Sequence, residues 1–298
     1  FRLTFLDTGT PNHRGWTMRE LQRIRRQIDS ADDLLSVVRT MKSLAAVNIR
    51  QYERAVESLR NYTQTVELGF RGVLDTNPKL IERGTTGADR PVGAIVFGSD
   101  QGMCGAFNER VAELTRETLA ERGVGAEDGS LLLIGHRAGF QFYDTPFDVR
   151  GQLELPSSVE GISPFVRRLL AHIDAWREQR GIERVLVFYN AASDAARFAP
   201  NVFELLPIDR AFLEGLASKG WESRSEPLTT VELEDVFSVL VREHLFISLF
   251  RPCAESLASE NAARLMSMQS AQRNITDRLE GLRTAYRRPR QTSITAEL

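Results

Sequence analysis

The chain has 298 residues, 42% hydrophobic and 26% charged, with a formal net charge of −2. That describes a folded, water-compatible protein of one large or two modest domains, and it argues against bulk attraction to nucleic acid or anionic membrane. Two distant cysteines, Cys104 and Cys253, exclude a disulfide framework, and no apolar run reaches the ~18 residues that a membrane span needs.

Residues 1–17 carry Gly9, Pro11 and Gly15 without a useful period, and are expected to form a disordered tail or a reading-frame extension ahead of Met18. From 18 to 74 the chain reads as one long helix. Leu21, Ile24, Ile28, Ala31, Leu35, Val38, Ala45, Ile49, Tyr52, Val56, Leu59 and Val66 recur at alternating spacings of three and four, interrupted by Lys42 and Thr63. A linker at 75–90 follows, marked by Asn77, Pro78, Gly84 and Gly87 and closed by Pro91.

Residues 91–208 read as an α/β domain. VGAIVF (Val92 to Phe97), LLLI (Leu131 to Ile134) and RVLVFY (Arg184 to Tyr189) are short apolar runs of buried-strand character. Asp148 to Leu155 is a candidate edge strand, and Asn201 to Leu206 a candidate antiparallel fourth strand. Helices are expected over Ala106 to Arg122, His136 to Tyr143 and Glu160 to Gln179. Strand and helix alternate, so the sheet is expected to be mostly parallel and Rossmann-like. Residues 209–229 are expected to be a loop.

From 230 to 298 a second long helix is expected. Its seam is Ala258, Asn261, Leu265, Met268, Gln272, Ile275, Leu279, Leu282 and Tyr286. At ~1.5 Å per residue it would run on the order of 90–100 Å, more than an ordinary domain core can cover. Pairing the two ends of the chain as an antiparallel coiled coil solves that problem. The fold class is therefore α/β plus a long antiparallel coiled coil. Heptad spacing alone tolerates slips of a whole repeat, so it leaves the register of the pair open. Pro252 and Pro289 are expected to kink the helix.

Candidate chemistry is sparse. GSDQGMCG (98–105) lies between a strand and a helix, where phosphate loops occur, but it has neither the GxGxxG spacing nor a following Lys-Ser/Thr. A tight turn is the plainer reading. Cys104, His136 and Asp144 offer a Cys-His-Asp set, the basis of an alternative as a cysteine-dependent α/β enzyme. A buried structural thiol is the plainer account. The four histidines have no ligand spacing, so no metal, and likewise no cofactor, is expected. Arginines cluster on both helices, at Arg19, Arg23, Arg25 and Arg26 and again at Arg273, Arg278, Arg283, Arg287, Arg288 and Arg290. They suit either a solvated face or a basic shaft facing acidic protein loops.

Three stretches carry a family resemblance. AESLASENAARLMSMQSAQRN (Ala254 to Asn274), with Leu282, Tyr286, Arg290, Gln291 and SITAEL after it, is the strongest. GSDQGMCGAFN (Gly98 to Asn108) is similar to the family's SDRGLCG-type turn through Gly98, Asp100, Gly102, Cys104 and Gly105. RTMKSLAAVNIR (Arg39 to Arg50) is similar to its AMKMVAAAK-type segment. Over Met18 to Leu298 the chain resembles the γ subunit of F-type ATP synthases.

The resemblance implies a rotor whose coiled coil stands inside a ring of α and β subunits. It implies that the C-terminal tip projects beyond the start of the first helix, which sets Leu21 against Leu279, Ile24 against Ile275, Ile28 against Gln272, Ala31 against Met268, Leu35 against Leu265, and Val38 against Asn261. Lys42 then faces Ala258, and side-chain size favours this register weakly. The resemblance also implies an α/β domain beside the ε subunit and the membrane c-ring, with no nucleic acid and no direct membrane insertion. It implies no catalytic site in this chain. The expected location is a peripheral complex on the cytoplasmic face of a bacterial inner membrane, driven by protons or sodium ions. Met41 and Lys42 on the first helix, and Arg290, Gln291, Thr295 and Glu297 on the last, match positions that contact the ring. SADDLLSVVRTMKSL departs from the family's more basic pattern, which fits a divergent branch such as an alternate-operon, sodium-translocating type. The family also extends several residues beyond the position of Leu298.

Overall fold

The computed structural model describes residues 18–84, 91–125, 129–143, 145, 147–193, 197–221 and 229–297; side chains at 18, 83, 84, 197 and 288–297 fall outside it. The expectation for residues 1–17 therefore lies outside the described residues. The chain divides into two units, one from residues 18–42 with 268–297 and the other from 43–267.

Two helices dominate, α1 (Met18–Thr76) and a C-terminal helix, α6 (Leu233–Glu297). Between them come a 3-10 helix (Pro78–Gly84), β1 (Val92–Phe97), α2 (Phe107–Glu121), β2 (Gly129–Ile134), α3 (His136–Gly139) and β3 (Asp148–Leu153). Then follow α4 (Ile162–Arg180), β4 (Arg184–Ser193), β5 (Arg197–Leu206) and α5 (Arg210–Lys219). α6 continues through Pro252 and Pro289 without a break.

The five strands form one sheet in the order β3-β2-β1-β4-β5. β1 to β4 run parallel, and β5 returns antiparallel along β4. β5 starts earlier than the apolar run alone foretells. Pro200 sits within it opposite Asn190, a place a proline can occupy because β5 is an edge strand.

β1 and β2 are buried at every position, because both faces are covered. On one face Ile95, Phe97, Leu132, Ile134, Val185 and Val187 meet α4 and the second unit's parts of α1 and α6. On the other, Ala94, Val96, Leu131, Leu133, Leu186 and Phe188 meet Val111, Ala112 and Leu119 of α2.

One expectation is corrected here. The stretch 209–229, read as a loop, contains α5. Asp209 caps it by accepting from the Ala211 amide at 2.9 Å, Leu213 and Leu216 are buried, and Gly220, at φ +60°, ends it. Ten residues with two buried leucines are too short for a periodic signal to stand out, but the Asp cap and the Gly stop were readable. Those leucines pack with Phe70, Leu74 and Leu80 as a third small core.

Candidate functional site

The turn after β1 occupies the place where open α/β sheets hold ligands. Strand order reverses between β1 and β4, and such crevices lie outside the carboxyl ends of the strands. Here the turn is tied to its own surroundings. The Ser99 amide donates to Asn108 Oδ1 at 2.9 Å, and Asn108 Nδ2 donates to Ser99 Oγ at 2.9 Å. Asp100 accepts from the His136 amide at 2.9 Å and from the Leu155 amide at 2.8 Å, so one carboxylate joins the segments that follow β1, β2 and β3. On β4, Asn190 donates to the Phe107 carbonyl at 3.0 Å.

Two glycines of the turn are required by geometry. A Cβ on Gly98 would lie 2.5 Å from Ala138 Cβ, and Gly105 has φ +61°. Met103 shares that left-handed backbone at φ 63° and leaves its side chain exposed. Asp100, Gly102 and Cys104 complete the set.

Cys104 is 2% exposed, with Ser99 Oγ at 3.6 Å, and burial pushes its thiol above the ordinary range. A group held as the neutral thiol is a poor nucleophile. The His136 ring meets Glu154 at 3.2 Å, while Cys104 meets Ser99, Gln101 and Asn108. Asp144 lies outside the described residues. Nothing here favours the cysteine-enzyme reading.

α6 packs against this turn. Ala263 packs on Cys104 and Phe107, with Phe198 beside them. Arg264 Nη2 donates to the carbonyls of Gln101 at 3.2 Å and Gly102 at 3.5 Å, and to Glu260 Oε1 at 2.5 Å. Glu260 is 5% and Arg264 8% exposed. Burial pushes the Glu260 carboxyl up to about 7; the Arg264 guanidinium opposes the shift and Asp100 adds to it. Neither residue was singled out from the sequence. The available signal was an i,i+4 Glu-Arg pair lying off the heptad seam in a run of small residues, where a second buried face was needed.

In the first unit the two helices form the expected seam. Ile24, Leu35, Val38, Met268 and Leu279 are buried, and Leu21, Ile28, Met41 and Ile275 partly so. Leu265, in the second unit, is partly buried too. The register, however, is corrected. Lys42 Nζ donates to Gln272 Oε1 at 2.8 Å, so Gln272 meets a residue two heptads along α1 from Ile28. Arg283 pairs with Asp32 at 3.0 Å, in keeping with that slip. In the second unit Asn48 Nδ2 donates to Asn261 Oδ1 at 3.3 Å, so Val38 is not its partner. The physical reason is polar matching. Heptad spacing tolerates whole-repeat slips, whereas a buried polar group without a partner is costly, so the polar residues of the two seams find one another.

Beside the seam, Arg19, Arg23, Arg26 and Arg278, with Ala31 and Ile275, line a groove of about 1070 Å³; no acidic residue lines it among the described residues. Arg290, Gln291, Thr295 and Glu297 lie on α6, but their side chains are outside the described residues. No helix among the described residues is long and apolar enough to cross a membrane, and no group of His, Cys, Asp or Glu among them is arranged to hold a metal.

Comparison with known proteins agrees with this architecture. The ATP synthase gamma chain of Anaeromyxobacter is 28% identical over 297 residues, spanning 94% of this chain and 96% of that one. That of Glaesserella parasuis is 27% identical over 283 residues, spanning 93% and 95%. Among solved structures, the rotor of the Euglena gracilis mitochondrial ATP synthase in rotational state 1 shares the fold, with a TM-score of 0.60 and 16% identity, over 93% of this chain and 100% of that one. The family model described as ATP synthase matches residues 20–298, and with that span the chain belongs to the ATP synthase family, as one of its γ chains.

Proposed function

We infer that the chain is the central-stalk rotor of an F-type ATP synthase. It couples ion flow through the membrane sector to ATP synthesis or hydrolysis on the α/β catalytic ring. It is a non-catalytic subunit of that complex. The observation that carries this reading is the pairing of the two chain ends into one seam, in a member of the γ-chain family. An asymmetric shaft presents a different surface to each surrounding catalytic subunit. Rotating it shifts the balance of open and closed states, which is how a bistable element couples sites.

In this reading residues 18–74 and 230–298 form the shaft, and residues 91–208 form the domain that faces the ε subunit and the c-ring. Met41, Lys42, Arg290, Gln291, Thr295 and Glu297 contact the ring. The arginine-lined groove supports the same assignment, because four cations without a lining carboxylate suit acidic loops. The bacterial relatives support a place on the cytoplasmic face of a bacterial inner membrane, with protons or sodium ions as the coupling ion.

The test is co-purification from the native membrane followed by single-molecule rotation. A fixed stoichiometry with α and β subunits and ATP-driven turning of a probe on this chain are expected. A chain that purifies free of both, or a probe that stays still while ATP is hydrolysed, overturns the reading.

A further inference from the structure

Glu260 and Arg264 sit one turn apart on α6, with side chains 7% and 10% exposed, and the guanidinium reaches across to two main-chain carbonyls of the turn after β1. The turn is itself fastened. Asn108 holds it to α2, and Asp100 holds it to the segments that follow β2 and β3. A continuous polar path therefore runs from α6 through Arg264 and the 101–102 peptides into the sheet. Beside it lies an apolar contact. Ala263 on Cys104 and Phe107 excludes water, but it does not fix where along its axis, or at what angle, the helix rests. Hydrogen bonds with narrow distance and angle limits do fix it.

Stability does not explain the pair. A buried ion pair commonly gains nothing over well-packed apolar groups of the same volume, because desolvation offsets the attraction. Position does explain it, since one nitrogen, Nη2, meets both carbonyls and the Glu260 carboxylate, which leaves it little freedom of direction. Building on the rotor reading, we propose that Glu260 and Arg264 are positioning residues that key α6 to the turn at 98–105, so that helix and α/β domain turn as one stiff body. Arg264 makes the contact, and Glu260 holds its guanidinium in the plane that meets both carbonyls.

The double variant E260Q/R264M tests this in the assembled complex. It removes both charges together and keeps side-chain volume, so no lone charge is left buried. A probe is attached through Glu178→Cys, an exposed position on α4, while the helix pair is cross-linked to the catalytic ring. The readout is the angular spread of the probe. The double variant is expected to widen the distribution while the melting temperature of the isolated chain stays level or rises.

A wild-type spread overturns the proposal. So does widening accompanied by a fall in melting temperature, because a loosened core would then account for it. If the double variant does not assemble, E260Q/R264L serves, which likewise leaves no lone charge buried, with the same widening expected and a wild-type spread again overturning the idea. Failure of the wild-type chain to join α and β subunits would instead overturn the rotor reading.

Discussion

The same helix behaves differently along its length. From residue 268 to 287, α6 buries little beyond Met268 and Leu279, and its partner α1 leaves Leu34 and Val37 about half exposed. Between Leu249 and Arg264 almost every side chain is buried, including Ser256, Ser259, Glu260, Asn261 and Arg264. One region is a two-helix seam with water on its back. The other is a core helix that serves a sheet, a turn and a partner helix together. A narrow seam tolerates sliding and exposed substitutions, whereas a helix buried all round is held from several sides and has no room for an unpaired charge.

The largest expected effect breaks the second region alone. At about pH 8, where the Glu260 carboxyl is ionised, Glu260→Ala leaves the Arg264 guanidinium buried without its anion and is expected to cost about 3–5 kcal/mol, read by chemical denaturation of the isolated chain. A loss below about 1 kcal/mol would mean that water reaches the site and that the contrast is false.

A pH series sharpens the same point. The folded-state value of Glu260 is raised to about 7 from an ordinary 4.5, so the native state favours the protonated form. Its contribution is fully present below the unfolded value and is lost as pH rises through the window from 4.5 to above 7. The wild type should therefore lose on the order of 3 kcal/mol across that window relative to Glu260→Gln, since one pKa shift of one step corresponds to about 1.4 kcal/mol. Parallel curves for the two proteins would show that the carboxyl titrates normally.

The first region is tested by register. With Cys104 and Cys253 replaced, Leu35→Cys and Leu279→Cys are expected to cross-link on mild oxidation. Ile28→Cys and Gln272→Cys should stay reduced, because Lys42 holds Gln272. The bond needs Cα atoms within ~7 Å, so a two-heptad slip of about 20 Å separates the alternatives cleanly. Closure of the second pair alone would restore the register that the resemblance implies.

The smallest effect is at Asp32. Its pair with Arg283 is about half exposed on both sides, so Asp32→Ala is expected to change stability by less than about 1 kcal/mol, and less still at high salt. A loss comparable to that of Glu260→Ala would erase the difference between the two regions.

Much of this architecture is legible without coordinates. Alternating three- and four-residue spacings define both seams, and unbroken apolar runs define β1, β2 and β4, because burial on both faces leaves no polar alternation to read. The register is harder. Apolar seam residues are nearly interchangeable, so spacing admits several pairings, and the projecting tip that the resemblance implies selects one that the polar contacts overturn. Lys42, Asn48, Gln272 and Asn261 carried the missing information, since polar seam positions pair with one another. Glu260 and Arg264 stayed hidden for a related reason. Off-seam charges ordinarily face water, and only the turn at 101–102, 163 positions away in sequence from Arg264, makes them interior.

Building both seams from the two ends of the chain also sets an order of events during synthesis. The main core needs Leu249, Phe250 and Leu257 of α6 on one face of the sheet, and α1 needs α6 along its stripe. Translation proceeds at roughly 5–20 residues per second, so α1 waits on the order of ten seconds after leaving the ribosome before its partner exists. Throughout that interval a helix bearing Ile24, Leu35 and Val38 on one side and Leu34 and Val37 on another is uncovered. Those side chains find their cover only when α6 arrives, so the C-terminal helix closes the fold from the finish toward the start.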